Sequence, residues 1–272
     1  MYSRPGLVVV GTPIGNLGDL SPRAAEALRT ADIICCEDTR HSRKLLTHAS
    51  ITGPRLVAVH EHNEAEQAER VVEWIQVGKR VALVTDAGMP AVSDPGERVI
   101  AAVIAAGLPV DIVPGPSAVL TALVLSGLPA ERFVFEGFLP RKGKERAARL
   151  ATVAAEPRTT VLYESPRRVT QTLADLATAC GPGRRVAVAR ELTKLHEEVQ
   201  RGTLGDIDIG EPRGEYVVVL EGAPPEAKEL DVAAALRRRL ESGDDKKTAV
   251  AAVAAELGVP KREVYAAALE LR

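Results

Sequence analysis

The sequence is poor in aromatic residues and in cysteine. Aromatic residues make up only 3% of its 272 residues, and three are cysteines. A base-stacking surface built from Phe, Tyr and Trp is therefore not expected. Three cysteines without a Cys-x-x-Cys pair favour neither a disulfide framework nor a structural zinc site. This cysteine usage is typical of a reducing compartment, so we expect a cytoplasmic protein.

Charge of one sign and long apolar runs are also scarce. The formal net charge is −2, so contact with nucleic acid would require a local basic patch rather than a global field. The longest apolar stretch begins at Val99 and is interrupted at Pro109, well below the ~18 residues that a membrane span needs. The apolar run that ends at Val10 is too short for a signal peptide. We therefore expect no membrane partner.

Short runs of Val, Ile and Leu alternate with helical segments in the first half of the chain. The apolar runs lack the alternation of half-exposed strands, which indicates strands buried on both faces of a mainly parallel sheet. We predict them at residues 7–10, 33–36, 56–59, 81–85 and 110–113. Ser21-Pro22 and Asp94-Pro95 each combine a capping residue with a proline that starts a helix.

The pattern changes in the second half, where the last strands follow one another without a helix and favour antiparallel pairing. We predict strands at residues 133–137, 160–163, 186–190, 197–202 and 215–221, with helices at 144–155 and 166–179. A linker at 223–226 precedes three short helices, at 231–241, 247–257 and 261–271. These last helices are either a helix-turn-helix or a small helical cap.

Three glycine- and proline-containing loops directly follow predicted strands, at residues 11–19, 85–96 and 113–118. In open α/β sheets, ligands bind at the carboxyl ends of the strands. Asp86 is a candidate for hydrogen bonding to a ligand, whereas Asp94 is expected to cap a helix. For Ser117, helix capping and ligand binding remain equally open.

These loops belong to a longer ordered series over residues 6 to 222. The series also includes Glu37-Asp38-Thr39-Arg40-His41 and the segments at 135–140, 163–166 and 190–194. Together they resemble the tetrapyrrole methylase superfamily, and most closely its RNA-modifying branch. The resemblance implies an α/β fold with two lobes, at residues 1–115 and 116–222, and a small C-terminal helical domain at 228–272.

The resemblance also implies a function and a binding site. S-adenosylmethionine would lie between the lobes, usually in a homodimer, and the activity would be 2′-O-methylation of a cytidine ribose in the decoding region of 16S rRNA. The partner would be 16S rRNA or the small ribosomal subunit. The implied cofactor contacts are Pro13, Asp86, Ala87, Gly88, Ala91, Ser117, Ala118, Glu164 and Leu192.

The segment Asp86-Ala87-Gly88-Met89 replaces the Gly-Gly-Asp-Pro pattern of the tetrapyrrole enzymes, which argues against a tetrapyrrole substrate. Methylation of a tetrapyrrole or of a protein side chain nevertheless stays an alternative. A non-catalytic RNA-binding module is a further one.

A ribose hydroxyl is a poor nucleophile, so a base or a polarising cation is expected beside it. Glu37, Asp38 and Arg40 are candidates because they follow an apolar strand, although capping by Asp38 or Thr39 explains them equally well. Lys194 would act as a base if burial lowered its pKa, or as a polarising cation. No metal is expected.

A local basic cluster follows the segment at 135–140 and is opposed only by Glu145. Lysine and arginine side chains hold nucleic acids chiefly through the phosphates. The alternative is a solvated helix start, where positive charge opposes the helix dipole. The predicted RNA-binding residues are Arg141, Lys142, Lys144, Arg146 and Arg149.

Overall fold

The computed structural model describes residues 4–225 and 232–270. The chain divides into two compact units, Met1–Ala223 and Pro224–Arg272. Position 228, where the helical domain was predicted to begin, lies outside the described residues, as do the predicted helix ends at 231 and 271.

A five-stranded parallel sheet occupies the first half of the large unit. Its strands are β1 (Gly6–Val10), β2 (Ile33–Cys36), β3 (Arg55–Ala58), β4 (Arg80–Leu83) and β5 (Val110–Val113), in the order β3-β2-β4-β1-β5. The helices between them are α1 (Pro22–Thr30), α2 (Thr39–His48), α3 (Glu64–Gln76) and α4 (Glu97–Ala105). Val8 packs in the core formed with α1 and α2, whereas Val9 packs in the core formed with α3 and α4. The prediction of a parallel sheet is confirmed, and burial holds for the inner strands β1, β2 and β4. The prediction of burial on both faces is wrong for the edge strands β3 and β5, which are partly exposed.

The start of α4 differs from the prediction. Ser21 caps α1 as expected, since its hydroxyl accepts the Ala24 N–H at 3.1 Å. Asp94, however, does not cap α4: the cap position is Gly96, with φ of +134°. The Glu64 carboxylate of α3 instead accepts the N–H groups of Gly96 and Arg98, both at 2.8 Å. The donors at this helix start are thus satisfied from a neighbouring helix.

A mixed five-stranded sheet follows helix α5 (Ala118–Ser126). Its strands are β6 (Phe133–Phe138), β7 (Thr159–Glu164), β8 (Arg185–Arg190), β9 (Glu198–Thr203) and β10 (Tyr216–Leu220), in the order β6-β7-β10-β8-β9. β6 and β7 are parallel and the other pairs antiparallel, which confirms the pairing predicted for the last strands. Helices α6 (Gly143–Ala155) and α7 (Val169–Cys180) cover one face, and α5 packs on the other.

The small unit contains three helices, α8 (Val232–Glu241), α9 (Lys246–Leu257) and α10 (Lys261–Glu270). Leu236, Val253 and Val264 are fully buried between them. Asp245 caps α9 by accepting the Thr248 N–H at 2.8 Å, and Gly258 ends it with φ of +66°. Within the ranges described above, no helix is both long and apolar enough to cross a membrane.

Candidate functional site

Loops after β1, β4 and β5 are fixed on one another at the carboxyl edge of the parallel sheet. Thr12 and Gly88 exchange backbone hydrogen bonds of 2.9 and 3.2 Å. Gly11 and Gly115 are in direct contact, since a Cβ built on Gly11 would lie 2.6 Å from the Gly115 nitrogen and 2.7 Å from Met89 Sδ. The contact requires glycine, because real Cβ atoms do not approach other atoms that closely.

The loop between β4 and α4 has a strained backbone. Ala91 and Ser93 have φ of +67° and +64°, in the left-handed region that side chains other than glycine seldom adopt. Gly88 and Gly96 also have positive φ. Strain of this kind persists only where the surroundings hold it, and it clusters at functional sites.

Loops of the second sheet meet these loops of the first. The Asn16 N–H donates to Thr193 Oγ1 at 3.0 Å. A Cβ built on Gly15 would lie 2.5 Å from Lys194 Cγ, and one on Gly137 would lie 3.2 Å from Ser93 Oγ. We call this zone the interlobe seam. It comprises the loops at residues 11–20, 37–38, 84–96 and 114–117 on one side, and 137–138, 191–197 and 211–215 on the other.

All of the predicted cofactor residues except Glu164 lie on or beside the interlobe seam. Ala118 and Leu192 pack in the same apolar cluster as Ile14. Pro13 and Gly88 are buried, whereas Ala87 is exposed. Ala91 lies in the strained loop. Their binding roles stay predictions.

Asp86 and Ser117 each make a protein contact at the interlobe seam. Asp86 accepts the Asp38 N–H at 3.2 Å, which ties the loop after β4 to the loop after β2. Ser117 caps α5, with its hydroxyl 3.4 Å from the Leu120 nitrogen. The capping interpretation of Ser117 is confirmed, and a ligand contact by the same residue stays a prediction.

Glu164 is placed differently. Its carboxylate is buried and accepts hydrogen bonds from the Ser165 N–H at 2.8 Å and from the Thr172 hydroxyl at 2.7 Å. Arg168 pairs with it at 3.4 Å. Because these partners belong to α7 and the turn before it, the side chain of Glu164 holds the start of that helix.

The cluster after β2 divides into a capping pair and a carboxylate that faces the next loop. Asp38 caps α2, accepting the Arg40 N–H at 2.7 Å, and hydrogen bonds from Arg40 lower the pKa of Asp38 to about 2. The Arg40 guanidinium pairs with the same carboxylate while 85% exposed. Glu37 instead accepts the Thr85 hydroxyl at 3.3 Å. Capping therefore accounts for Asp38, and Arg40 lies on the surface beside it.

Lys194 is held between two carboxylates. Its ammonium lies 2.9 Å from Glu191 Oε1 and 2.8 Å from Glu215 Oε2. Burial opposes its charge, but the hydrogen bonds to Glu215 and Glu191 outweigh burial and raise the pKa of Lys194. The condition under which Lys194 would act as a base, a lowered pKa, is therefore not met, and the ion pairs favour the alternative of a polarising cation.

Asp94, which the sequence predicts to be a helix cap, is a further candidate for a functional residue. Burial, followed by the negative charges of Glu37, Asp86 and Glu215, raises the pKa of Asp94 to about 6, although the Thr85 hydroxyl opposes the shift. Perturbed carboxyl groups of this kind concentrate at functional sites. The Asp-Pro motif predicted a helix cap and not a carboxyl with a raised pKa. The residue that accepts the hydrogen bonds at this helix start, Glu64, lies thirty residues earlier in the chain, so the local sequence does not reveal it.

The predicted basic patch is smaller than expected. Arg146 is buried, with Nη2 2.7 Å from Asp175 Oδ2 and 3.0 Å from Thr172 Oγ1, so it joins α6 to α7 and is not part of an exposed patch. Arg149 pairs with Glu136 at 2.9 Å. The exposed members of the predicted cluster are Arg141, Lys142, Lys144 and the half-exposed Arg149.

Potential metal ligands are not grouped in the part of the chain that the structure describes. Over residues 4–225 and 232–270, no three His, Cys, Asp or Glu side chains are arranged to hold an ion.

Known proteins share both the sequence and the fold. Residues 6–208 match the family model described as Tetrapyrrole (Corrin/Porphyrin) Methylases. The chain is 44% identical to a Synechocystis protein named ribosomal RNA small subunit methyltransferase I, over 97% of this chain and 98% of that protein. A protein of the same name from Xylella fastidiosa is 51% identical over 81% of this chain and 83% of its own length.

Solved structures agree on the fold. The methyltransferase CobJ superposes with a TM-score of 0.62 and 25% identity, covering 80% of this chain and 94% of its own. Uroporphyrin-III C-methyltransferase from Thermus thermophilus, complexed with S-adenyl homocysteine, gives a TM-score of 0.54 at 18% identity, covering 79% and 96%. The chain therefore belongs to the tetrapyrrole methylase family and, within it, to the group of proteins named ribosomal RNA small subunit methyltransferase I.

Proposed function

We propose that this protein transfers a methyl group from S-adenosylmethionine to ribosomal RNA of the small subunit, and that the acceptor is the 2′-oxygen of a cytidine in the decoding region of 16S rRNA. The observation that carries the proposal is the 44% identity over nearly the full length of a relative named for small-subunit rRNA methylation. The interlobe seam supports it, because loops from two sheets converge there around a set of carboxylates.

The residues at the interlobe seam suit the methyl donor. The backbone pair of Thr12 and Gly88 lies beside the apolar side chains of Ile14 and Leu192 and the carboxylate of Asp86. An apolar wall with few polar groups is typical of small-molecule sites. Pro13, Ala87, Ala91, Ser117 and Ala118 complete the proposed set. When bound, S-adenosylmethionine supplies an electrophilic methyl group on a positively charged sulfonium, and nearby carboxylates favour such a charge.

The chain's contribution to rate is chiefly positioning. Holding two reactants in line supplies roughly 7–11 kcal/mol of a barrier. Lys194, fixed between Glu191 and Glu215, keeps a cation where it can hold the oxygen atoms of a nucleotide. Glu37 and Asp38 shape the adjoining loop, and Arg40 is available to phosphate at the surface.

RNA would be held outside the interlobe seam by the exposed start of α6. Arg141, Lys142 and Lys144 follow β6, which carries the Gly137 contact to Ser93. Phosphate contacts by such side chains are independent of sequence and position the nucleic acid.

A homodimer in the cytoplasm completes the proposal. Leu120 and Val124, one turn apart on α5, are 52% and 75% exposed, and Ile112 on the edge strand β5 is 56% exposed. An exposed apolar face of this kind favours association. Light scattering after chromatography should give twice the chain mass, and Val124→Glu should give the monomer mass. A wild-type monomer would contradict the homodimer.

Methyl transfer from tritium-labelled S-adenosylmethionine tests the function. Acceptors should be small ribosomal subunits that lack the modification, free 16S rRNA, and uroporphyrinogen. We expect label in RNA, recovered as 2′-O-methylcytidine after digestion to nucleosides. Label in the macrocycle would favour the tetrapyrrole alternative, and RNA binding without transfer would favour the non-catalytic module. Label on a base instead of a ribose would contradict the 2′-oxygen as acceptor.

A further inference from the structure

Helix α2 presents a solvent face that carries only positive or neutral side chains. The helix spans Thr39–His48 and contains no aspartate or glutamate. Ser42, Leu45 and Leu46 are buried, whereas every basic or histidine side chain of the helix is exposed. In a chain whose formal net charge is −2, this concentration of positive charge is local. The exposed set consists of Arg40, His41, Arg43, Lys44 and His48.

Helical spacing places these side chains in one stripe. Arg40, Lys44 and His48 follow one another at intervals of four residues, so they lie along one side of the helix. Arg43 and His41 flank this line on its two sides. At 1.5 Å per residue the stripe is about 12 Å long from Arg40 to His48, which is enough to follow more than one phosphate of a nucleic-acid strand.

The packing of the fold does not explain this charge. Arg40 pairs with Asp38 but remains exposed, and none of the ion pairs described for residues 4–225 and 232–270 involves Arg43 or Lys44. Like charges three or four residues apart on a helix repel each other, and positive charge in the first turn opposes the helix dipole. The charges of α2 therefore oppose the folded helix slightly, and they favour a negatively charged partner.

Helix α2 begins at the interlobe seam. The Asp38 N–H donates to the Asp86 carboxylate, so the first turn of α2 is anchored to the loop after β4. Helix α6 begins on the other side of the interlobe seam, where its exposed lysines follow β6 and the contact of Gly137 with Ser93. Each of the two sheets therefore places one basic helix start beside the interlobe seam.

The interlobe seam itself is poorly suited to phosphate. Glu37 and Asp86 place carboxylates there, which repel the phosphodiesters of RNA. The ammonium of Lys194 is already paired with Glu191 and Glu215. RNA that presents a ribose to the interlobe seam must therefore be held by cations outside it, and α2 provides such cations on the side of the parallel sheet.

We propose that the exposed face of α2 is a phosphate-binding surface for RNA, and that it holds the strand on the side of the interlobe seam opposite the start of α6. The inference rests on the proposed function and adds a second contact region to it. The acceptor ribose would lie at the interlobe seam, with phosphates bound on both flanks. Contacts of this kind fix the position of a strand without reading its bases.

Binding to small ribosomal subunits that lack the modification tests the inference. Arg43→Gln with Lys44→Gln removes two exposed charges and keeps polar side chains in their place. We expect the affinity to fall about tenfold and the slope of log affinity against log salt to decrease by roughly 1.5, as for two phosphate contacts. Filter binding at several salt concentrations measures both. In methyl transfer, the KM for subunits should rise about tenfold while kcat stays unchanged.

The matched control is Lys79→Gln with Arg132→Gln. Both residues are exposed, and each directly precedes a strand, β4 or β6, that ends at the interlobe seam. They therefore lie at the far ends of these strands. The control changes the net charge by the same amount, so it separates a local contact from the overall field of the protein. Its affinity and its salt slope should match those of the wild type.

Two further measurements distinguish a lost contact from a damaged fold. Urea denaturation of Arg43→Gln with Lys44→Gln should show no loss of stability, since the two charges oppose the folded helix. Calorimetric titration with S-adenosylhomocysteine should give the wild-type affinity. If stability or this affinity fell together with RNA binding, the charges of α2 would have a structural role and the inference would be overturned.

Crosslinking tests the path of the RNA between the two surfaces. Lys44→Cys and Lys142→Cys, each combined with Cys180→Ser and labelled with benzophenone, should crosslink to RNA on opposite sides of the methylated nucleotide. Cys35 and Cys36 are buried, so the label should be confined to the introduced thiol. Crosslinks from both positions to the same side of that nucleotide would contradict the proposed path.

Failure of the inference is distinguishable from failure of the proposed function. If the wild type methylates small subunits and the double substitution on α2 binds them as tightly as the control does, the face of α2 is not an RNA surface. If the wild type transfers no methyl group to RNA, the proposed function fails and the inference falls with it.

Discussion

The two halves of the large unit are held together by different kinds of contact. The parallel sheet fixes its loops through the backbone, by the Gly11–Gly115 contact and the paired hydrogen bonds of Thr12 and Gly88. The mixed sheet uses charged side chains. Arg146 contacts Asp175 and Thr172, Thr172 contacts Glu164, and Glu164 pairs with Arg168, so that one network ties β7, α6 and α7.

Topology explains the difference. In a parallel sheet all strands end at one edge, so short loops converge and only glycine permits their close approach. In the mixed sheet β8 and β10 run in opposite directions. The interlobe seam therefore receives the ends of β6 and β8 but the beginning of β10. Ion pairs of Lys194 with Glu191 and Glu215 connect the loop after β8 to the beginning of β10.

The largest effect on stability is expected in the charged network. Arg146→Ala leaves the partly buried Asp175 without its cation, which should lower the free energy of unfolding by about 3 kcal/mol in urea denaturation. Arg149→Ala is the control, because its pair with Glu136 is half exposed and is worth less than about 1 kcal/mol. Equal effects of the two substitutions would show that the network does not hold the mixed sheet.

The backbone contact of the parallel sheet should affect both stability and binding. Gly11→Ala places a Cβ against Gly115 and forces the loops apart, at a cost of about 1–3 kcal/mol typical of overpacking. We expect the affinity for S-adenosylmethionine, measured by calorimetry, to fall about tenfold. Gly183→Ala, whose Cβ would meet nothing within 4 Å, should bind normally. Unchanged affinity for Gly11→Ala would remove the loop contact from the binding site.

Features that depend on neighbouring residues could be predicted from the sequence, whereas features that depend on residues far apart in the chain could not. Strand ends and the caps at Ser21, Asp38 and Ser117 depend on neighbouring residues, so local patterns predict them. The cap supplied by Glu64 and the burial of Arg146 depend on residues about thirty positions away. In the sequence, Arg146 belongs to a basic segment that is typical of an exposed surface. Its burial becomes evident only from its ion pair with Asp175 on the next helix. The charge of Lys194 likewise follows from Glu215, twenty-one residues later.

Removing exposed charge beside the mixed sheet should weaken RNA binding without affecting the fold. Lys142→Ala with Lys144→Ala should lower affinity for small subunits about tenfold and reduce the slope of log affinity against log salt by roughly 1.5, as for two phosphate contacts. The matched control is Lys246→Ala with Lys247→Ala, at the exposed start of α9. Filter binding at several salt concentrations measures both. A slope that does not change would assign the RNA contacts to another surface.

The smallest effect concerns Asp94, whose charge is opposed by burial and by the negative charge of Glu37. The folded state raises its pKa from 3.8 to about 6, so between these values the folded protein binds a proton that the unfolded chain has released. Stability from this group therefore falls as pH rises through 6, and the whole penalty is present above it.

Asp94→Asn should remove that penalty. After allowance for solvent screening of a half-exposed carboxyl, we expect a gain of about 1 kcal/mol at pH 8, or roughly 2–4 °C in Tm, and almost none at pH 4. Asp38→Asn gives the opposite sign, because the pKa of Asp38 is lowered to about 2 and its carboxylate stabilises the fold above pH 4. Differential scanning calorimetry at both pH values measures this. A loss of stability in Asp94→Asn at pH 8 would mean that the ionised carboxylate stabilises the folded state and carries no net penalty.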